Sequence, residues 1–107
     1  MIVDSSEWAA WVNAMPGAGR PKLIVIGKVR VPSGGYKVSL QSGPILGSYP
    51  PVQHMNVLVT PPTGAGTGAI VEHELRAEMP ALDSYGAVTI RCGNRALATI
   101  TDIIRAS

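Results

Sequence analysis

The amino-acid sequence predicts a mainly β fold: a small antiparallel β-sandwich, immunoglobulin-like, of about six to seven strands with a short N-terminal helix. Three observations carry this expectation. From Lys22 onward apolar and polar side chains alternate with a period of two, the rhythm of a strand with one buried side. Clusters of Gly, Pro, Ser and Asn separate the alternating runs, as turns do. Ahead of them, Trp8, Trp11, Val12 and Met15 are spaced like one stripe of a helix.

The helix is expected to start at Asp4 as N-cap, with Glu7 completing a capping box, and to stop at Pro16 and Gly17. So short a helix does not persist alone in water. It needs a partner, and the apolar Ile24 and Ile26, which share a face with Lys22, Lys28 and Arg30, are the nearest surface in need of cover.

Residues 22–31 and 36–41 read as a β-hairpin around the Pro32-Ser33-Gly34-Gly35 turn. Residues 42–51, rich in Gly, Ser and Pro, read as a loop, because Pro50 and Pro51 forbid regular ladder pairing. A third strand runs from His54 to Thr60 with Met55, Val57 and Val59 on one side, and residues 61–68 form an uncharged loop. From Ile70 the residues Glu72, Glu74, Arg76 and Glu78 alternate with Val71, His73, Leu75, Ala77 and Met79, which favours a half-exposed strand over a helix. A last pair of strands, residues 87–91 and 95–103, flanks a Gly93-Asn94 turn, with Val88 and Ile90 expected beside Leu97 and Thr99.

At 107 residues the expected layout is one domain over residues 1–107, with the helix in 1–17 and the sandwich in 22–105. The chain is 46% hydrophobic and 15% charged, which excludes a disordered chain, and no apolar run is long enough for a transmembrane helix. Asp4 and Glu7 stand where a secretory signal would carry Lys or Arg, and Cys92 is the single cysteine, so the expected compartment is the cytoplasm and no internal disulfide is expected.

No catalytic, cofactor or metal site is expected. Residues 64–69, with Gly64, Gly66 and Ala69, match a dinucleotide-type glycine turn, but that mechanism needs a helix to follow and an alternating strand follows instead. Cys92 with His54 or His73 and Asp102 has the residue types of a nucleophile, base and orienting acid, without a spacing that brings them together. The row Glu72, Glu74 and Glu78, interleaved with Arg76, reads as a solvated face. Lys28, Arg30 and Lys37 are expected on one hairpin face, yet aromatic stacking platforms are lacking beside them, so nucleic acid is not the expected partner, and neither is a membrane.

The residues running from Gly27 through Val29, Val31, Pro32 and Tyr36 to Leu40, with Val57, Val59, Thr60, Pro61 and Pro62 after them, resemble small bacterial β-sandwich proteins of uncharacterised activity. That resemblance implies an immunoglobulin-like sandwich and no activity. Thr60, Pro61, Pro62, Thr63 and Gly64 also resemble the inhibitory loop of chagasin-type cysteine-protease inhibitors, whose further Gly-rich and Arg-Pro-aromatic motifs have no counterpart here.

The first functional expectation is therefore a protein-interaction module presenting residues 42–53 and 61–68, with Trp8, Trp11, Pro61, Pro62, Thr63 and Gly64 as candidate partner-binding residues. A nucleotide-binding or enzymatic domain using residues 64–69 is one alternative. A homo-oligomer joined through edge strands or through Trp8 and Trp11 is the other.

Overall fold

The computed structural model describes residues 2–14, 19–47, 50–64 and 68–106. In chain order its strands are β1 (Asp4–Asn13), β2 (Lys22–Val31), β3 (Lys37–Leu46), β4 (Val52–Thr60), β5 (Val71–Pro80), β6 (Ala87–Cys92), β7 (Arg95–Ile100) and β8 (Ile104–Ala106). They form two four-stranded sheets, β5-β2-β1-β8 and β3-β4-β6-β7. The chain is mainly β, and the described residues contain no helix.

The period-two rhythm explains the two layers. Along β2, Leu23, Val25, Val29 and Val31 point inward and are fully buried. Met55, Val57, Val88 and Ile90 answer them from the second sheet. The outward row of β5 is Glu72, Glu74, Arg76 and Glu78, all exposed, opposite Arg30, Lys28, Ile26 and Ile24 of β2. Alternation in residues 71–79 was thus a faithful signal of a half-exposed strand.

The expected N-terminal helix is instead strand β1, antiparallel to β2 with Asp4 opposite Arg30 and Asn13 opposite Lys22. The residues expected to cap a helix make cross-strand ion pairs: Asp4 with Arg30, and Glu7 with Lys28 at 2.8 Å. Spacing misled here because Trp8, Ala10 and Val12 fit an inward strand row as well as Trp8, Trp11 and Val12 fit a helix. A short segment takes the form that tertiary pairing offers, since its own helix nucleus is unfavourable. Between Ser6 and Ala9 the register slips, and Glu7 adopts a φ of 56°, rare for a residue with a side chain. This bulge turns Trp8 inward over Gly27. The expected stop at Pro16 and Gly17, with Met15, lies outside the described residues.

Residues 22–41 are not a hairpin. β2 and β3 sit in different sheets, so the turn between them carries the chain across the sandwich. Turn chemistry marks a reversal without saying whether the next strand pairs or crosses over. Each sheet also holds one parallel pair, β1 with β8 and β4 with β6, where immunoglobulin sheets are antiparallel. At the β6–β7 turn a second register slip sets Val88 opposite Ile100 and Ile90 opposite Ala98, in place of the expected Leu97 and Thr99.

The loop expected from residue 42 begins later, because Ser42 to Leu46 complete β3. Gly43 and Pro44 make a bulge there. Gln53, buried to 3% exposure, donates from Nε2 to the Gly43 carbonyl at 3.1 Å and to the His54 carbonyl at 2.9 Å, fixing it. None of the described residues forms a helix long and apolar enough to cross a membrane.

Candidate interaction surface

The residues with catalytic potential are kept apart by the two-layer arrangement. His54 faces outward from β4, where Nδ1 lies 3.0 Å from the Thr89 hydroxyl. His73 faces inward from β5 in the other sheet, between Val71 and Leu75 in the buried row. Cys92 packs against the core at the end of β6, and Asp102 is exposed beyond β7, at the opposite end of the strands. These four side chains do not meet as nucleophile, base and acid. Among the described residues no group of three or more His, Cys, Asp or Glu could hold a metal ion. The glycine turn of residues 64–69, whose residues 65–67 lie outside the described set, leads into β5 and opens no helix.

The basic ribbon is also divided. Lys28 and Arg30 lie on the outer face of the first sheet and Lys37 on the second. Lys28 reaches Glu7 at 2.8 Å and Glu74 at 3.8 Å, and Arg30 Nε donates to Asp4 at 2.6 Å. The Arg30 hydrogen bond holds the Asp4 carboxyl below its ordinary range, and hydrogen bonding to Glu7 raises the Lys28 ammonium. Both of these first-sheet cations are thus paired with carboxylates across strands.

The two presented segments stand at opposite ends. Lys37 pairs with Thr60 at one end of β3–β4 and Leu46 with Val52 at the other, so residues 61–64 and residues 50–51 are separated by the length of β4, about 30 Å. At the first end Pro62 packs against Gly35 of the β2–β3 turn, while Pro61, Thr63 and Gly64 are exposed. Trp8 and Trp11 part company with the loops. Trp11 pairs with Ile24 on the outer face of the first sheet, beside Ile104 of β8, and Trp8 lies inside.

Both tryptophans nevertheless border one feature. Among the described residues β8 pairs with Trp11 to Asn13, and no described strand pairs with the flank of β1 before Trp11. There a hollow of about 500 Å³ is lined by Trp8, Trp11, Ile100, Asp102 and Ile104. Ile104 is 63% exposed at its rim.

The second feature is one the sequence reading missed. Ile45 and Leu46, each 49% exposed, end the edge strand β3 just beyond the Gly43-Pro44 bulge. Ile45 shares a face with Gln53 and Leu46 with Val52, so neighbouring apolar side chains stand on both sides of the strand. The signal was present: two adjacent aliphatic residues in a strand cannot both be buried by a one-sided core. It was hidden by taking a Gly-Pro-rich segment as loop. Comparison of the chain with protein-family models, curated proteins and solved structures gives no match.

Proposed function

We propose that the chain is a non-catalytic protein-interaction module whose docking element is the end of edge strand β3, around Ile45 and Leu46. The observation that carries the reading is the half exposure of both side chains on a strand whose backbone is fastened by Gln53. Two aliphatic groups held rigidly in water lose no further backbone entropy on binding, and their burial is worth up to roughly 1.5–3 kcal/mol each. The surroundings favour an apolar contact. From Val38 to Val71 the chain contains no Asp, Glu, Lys or Arg, so β3 beyond Lys37 and the whole of its partner strand β4 carry no charged side chain.

The contact is made by side chains and not by ladder extension. Pro44 has no N–H to offer, and a bulge at an edge deters strand addition. An immunoglobulin-like ancestry is a separate proposal that this reading does not need, and the parallel pairs depart from it.

A photo-reactive side chain installed at position 46 tests the reading in cells that make the protein. Cross-links to protein are expected from position 46 and not from position 74, on the charged face of β5. Equal labelling from both positions, or none from position 46, overturns it.

A further inference from the structure

We infer that the outer face of the second sheet binds an acidic, extended protein segment. The segment lies along the diagonal Lys37, Leu58 and Arg91, with a carboxylate at each end and an aliphatic side chain between. This surface is the broad face of β3, β4 and β6, apart from the Ile45–Leu46 end, and its test leaves the reading of that end untouched.

The charges of the chain are sorted between its two sheets. Of seven Asp and Glu residues, Asp4 and Glu7 stand on β1 and Glu72, Glu74 and Glu78 on β5, all in the first sheet. Asp83 and Asp102 lie in connections, and β3, β4, β6 and β7 contain no acid at all. In the first sheet Lys28, Arg30 and Arg76 each meet a carboxylate, so an incoming anion would have to displace a resident one. On the second sheet no described carboxylate pairs with Lys37 or Arg91. Arg91 donates to the Asn94 carbonyl at 3.0 Å, which orients the guanidinium and leaves its charge unanswered.

Register sets the spacing. Val38, Val57 and Ile90 face the core, so their neighbours Lys37, Leu58 and Arg91 face outward. Lys37 stands opposite Thr60, two residues from Leu58, and Arg91 stands opposite Asn56, two residues from Leu58 on the other side. The three are therefore successive diagonal neighbours, about 8 Å apart and about 16 Å from end to end. Alternate residues of an extended chain are about 6.7 Å apart, so carboxylates four residues apart span about 13 Å. The long Lys37 and Arg91 side chains take up the difference.

Leu58, 44% exposed between the two cations, selects a protein segment over a bare polyanion. A phosphate or sulfate chain has no aliphatic group to set there. The four strands also contain no Phe, Tyr or Trp on which a nucleic-acid base could stack.

A capped synthetic peptide with the repeat Glu-Thr-Leu-Thr places Glu and Leu on one side of an extended chain. NMR titration of the isotope-labelled full chain with this peptide at low salt tests the inference. Shifts are expected at Lys37, Leu58 and Arg91, with a dissociation constant of about 0.1–1 mM that weakens as salt is added. Lys37→Glu, Arg91→Glu and Leu58→Ser are each expected to weaken binding about threefold or more. Arg91→Lys keeps the charge and is expected to retain binding, as is Arg76→Gln on the first sheet. No binding, equal binding of the peptide with Gln in place of Glu, or indifference to the charge reversals overturns the inference. Tighter binding of a heparin fragment or single-stranded DNA, lost in the same variants, assigns the face to another polyanion and overturns it too.

Discussion

The Trp8 indole occupies the space that a side chain at position 27 would take: a Cβ built on Gly27 would lie 2.1 Å from Cε3 of Trp8 and 2.3 Å from Cζ3. The inward row of β2 is otherwise Leu23, Val25, Val29 and Val31, so Gly27 is a notch in a wall of branched side chains. Trp8 reaches it through the bulge at Glu7. A left-handed backbone at a residue with a side chain costs about 1–2 kcal/mol, and burial of a large aromatic group offsets it.

The notch makes the two positions interdependent. Gly27→Ala is expected to destabilise the fold by about 1–3 kcal/mol through overpacking, and Trp8→Ala by about 3–5 kcal/mol through the cavity it leaves. In the Trp8→Ala background the extra methyl at position 27 has room, and alanine suits a strand better than glycine. Denaturant titration of the four proteins should therefore show a double variant less destabilised than the sum of the singles, by 0.5 kcal/mol or more. Additive effects would mean that the indole does not fill the notch.

Gln53 joins the β3 bulge to β4, and the proposed docking element depends on it. Replacing it by Leu keeps the bulk but removes the donor that serves the Gly43 and His54 carbonyls. Chemical denaturation should show a loss of about 1–3 kcal/mol. Hydrogen exchange should accelerate around residues 43–46 before the rest of the sheet. Unchanged exchange there would show that the bulge is held by something other than this side chain.

How much of this was legible in the sequence depends on where one rule acted alone. Val71 to Met79 alternate without interruption, and β5 pairs with β2 over its full length without a register slip. The β1 segment carries two periodicities at once, and only pairing with β2 chooses between them. Its clue lay elsewhere, in Gly27: a glycine inside a run of Leu, Ile and Val marks the close approach of another group. Crossover of the chain between β2 and β3 leaves no local trace, because five turn residues serve a hairpin and a crossover equally. The hollow joins β1, β7 and β8, distant in sequence, so no spacing rule could assemble it.

His73 contradicts its surroundings. It faces the core from β5, and its Nε2 is buried without a hydrogen-bond partner, in a row that is otherwise Val71, Leu75, Ala77 and Met79. An orphaned polar atom in such a place costs roughly 1–3 kcal/mol relative to a satisfied one. His73→Leu fills similar volume without the polar atom and is expected to raise stability by about 1 kcal/mol at neutral pH, read as a shift in the urea midpoint at constant m. Destabilisation would mean that the imidazole has a role in holding β5 to the second sheet.

The Asp4–Arg30 pair gives the fold a defined response to acid. Hydrogen bonding from Arg30 is the chief reason that the Asp4 carboxyl is held below its ordinary value; desolvation opposes it as the next largest effect, and the attraction of the Arg30 and Arg95 charges adds to the lowering. A carboxyl whose value is lower folded than unfolded adds stability above its unfolded value, about 4. That contribution fades as pH falls through the folded value, where the native state finally takes up the proton. Both side chains are largely in water, so the effect is modest and weakens with salt. Carbon-detected NMR titration of the Asp4 carboxyl should give a midpoint below that of an unstructured aspartate, and Arg30→Gln should move it upward. With Arg30→Gln the stability difference from wild type should shrink as pH is lowered from 6 through the Asp4 midpoint. A midpoint that ignores the substitution would show that the first rung of the β1–β2 ladder is held by its backbone alone.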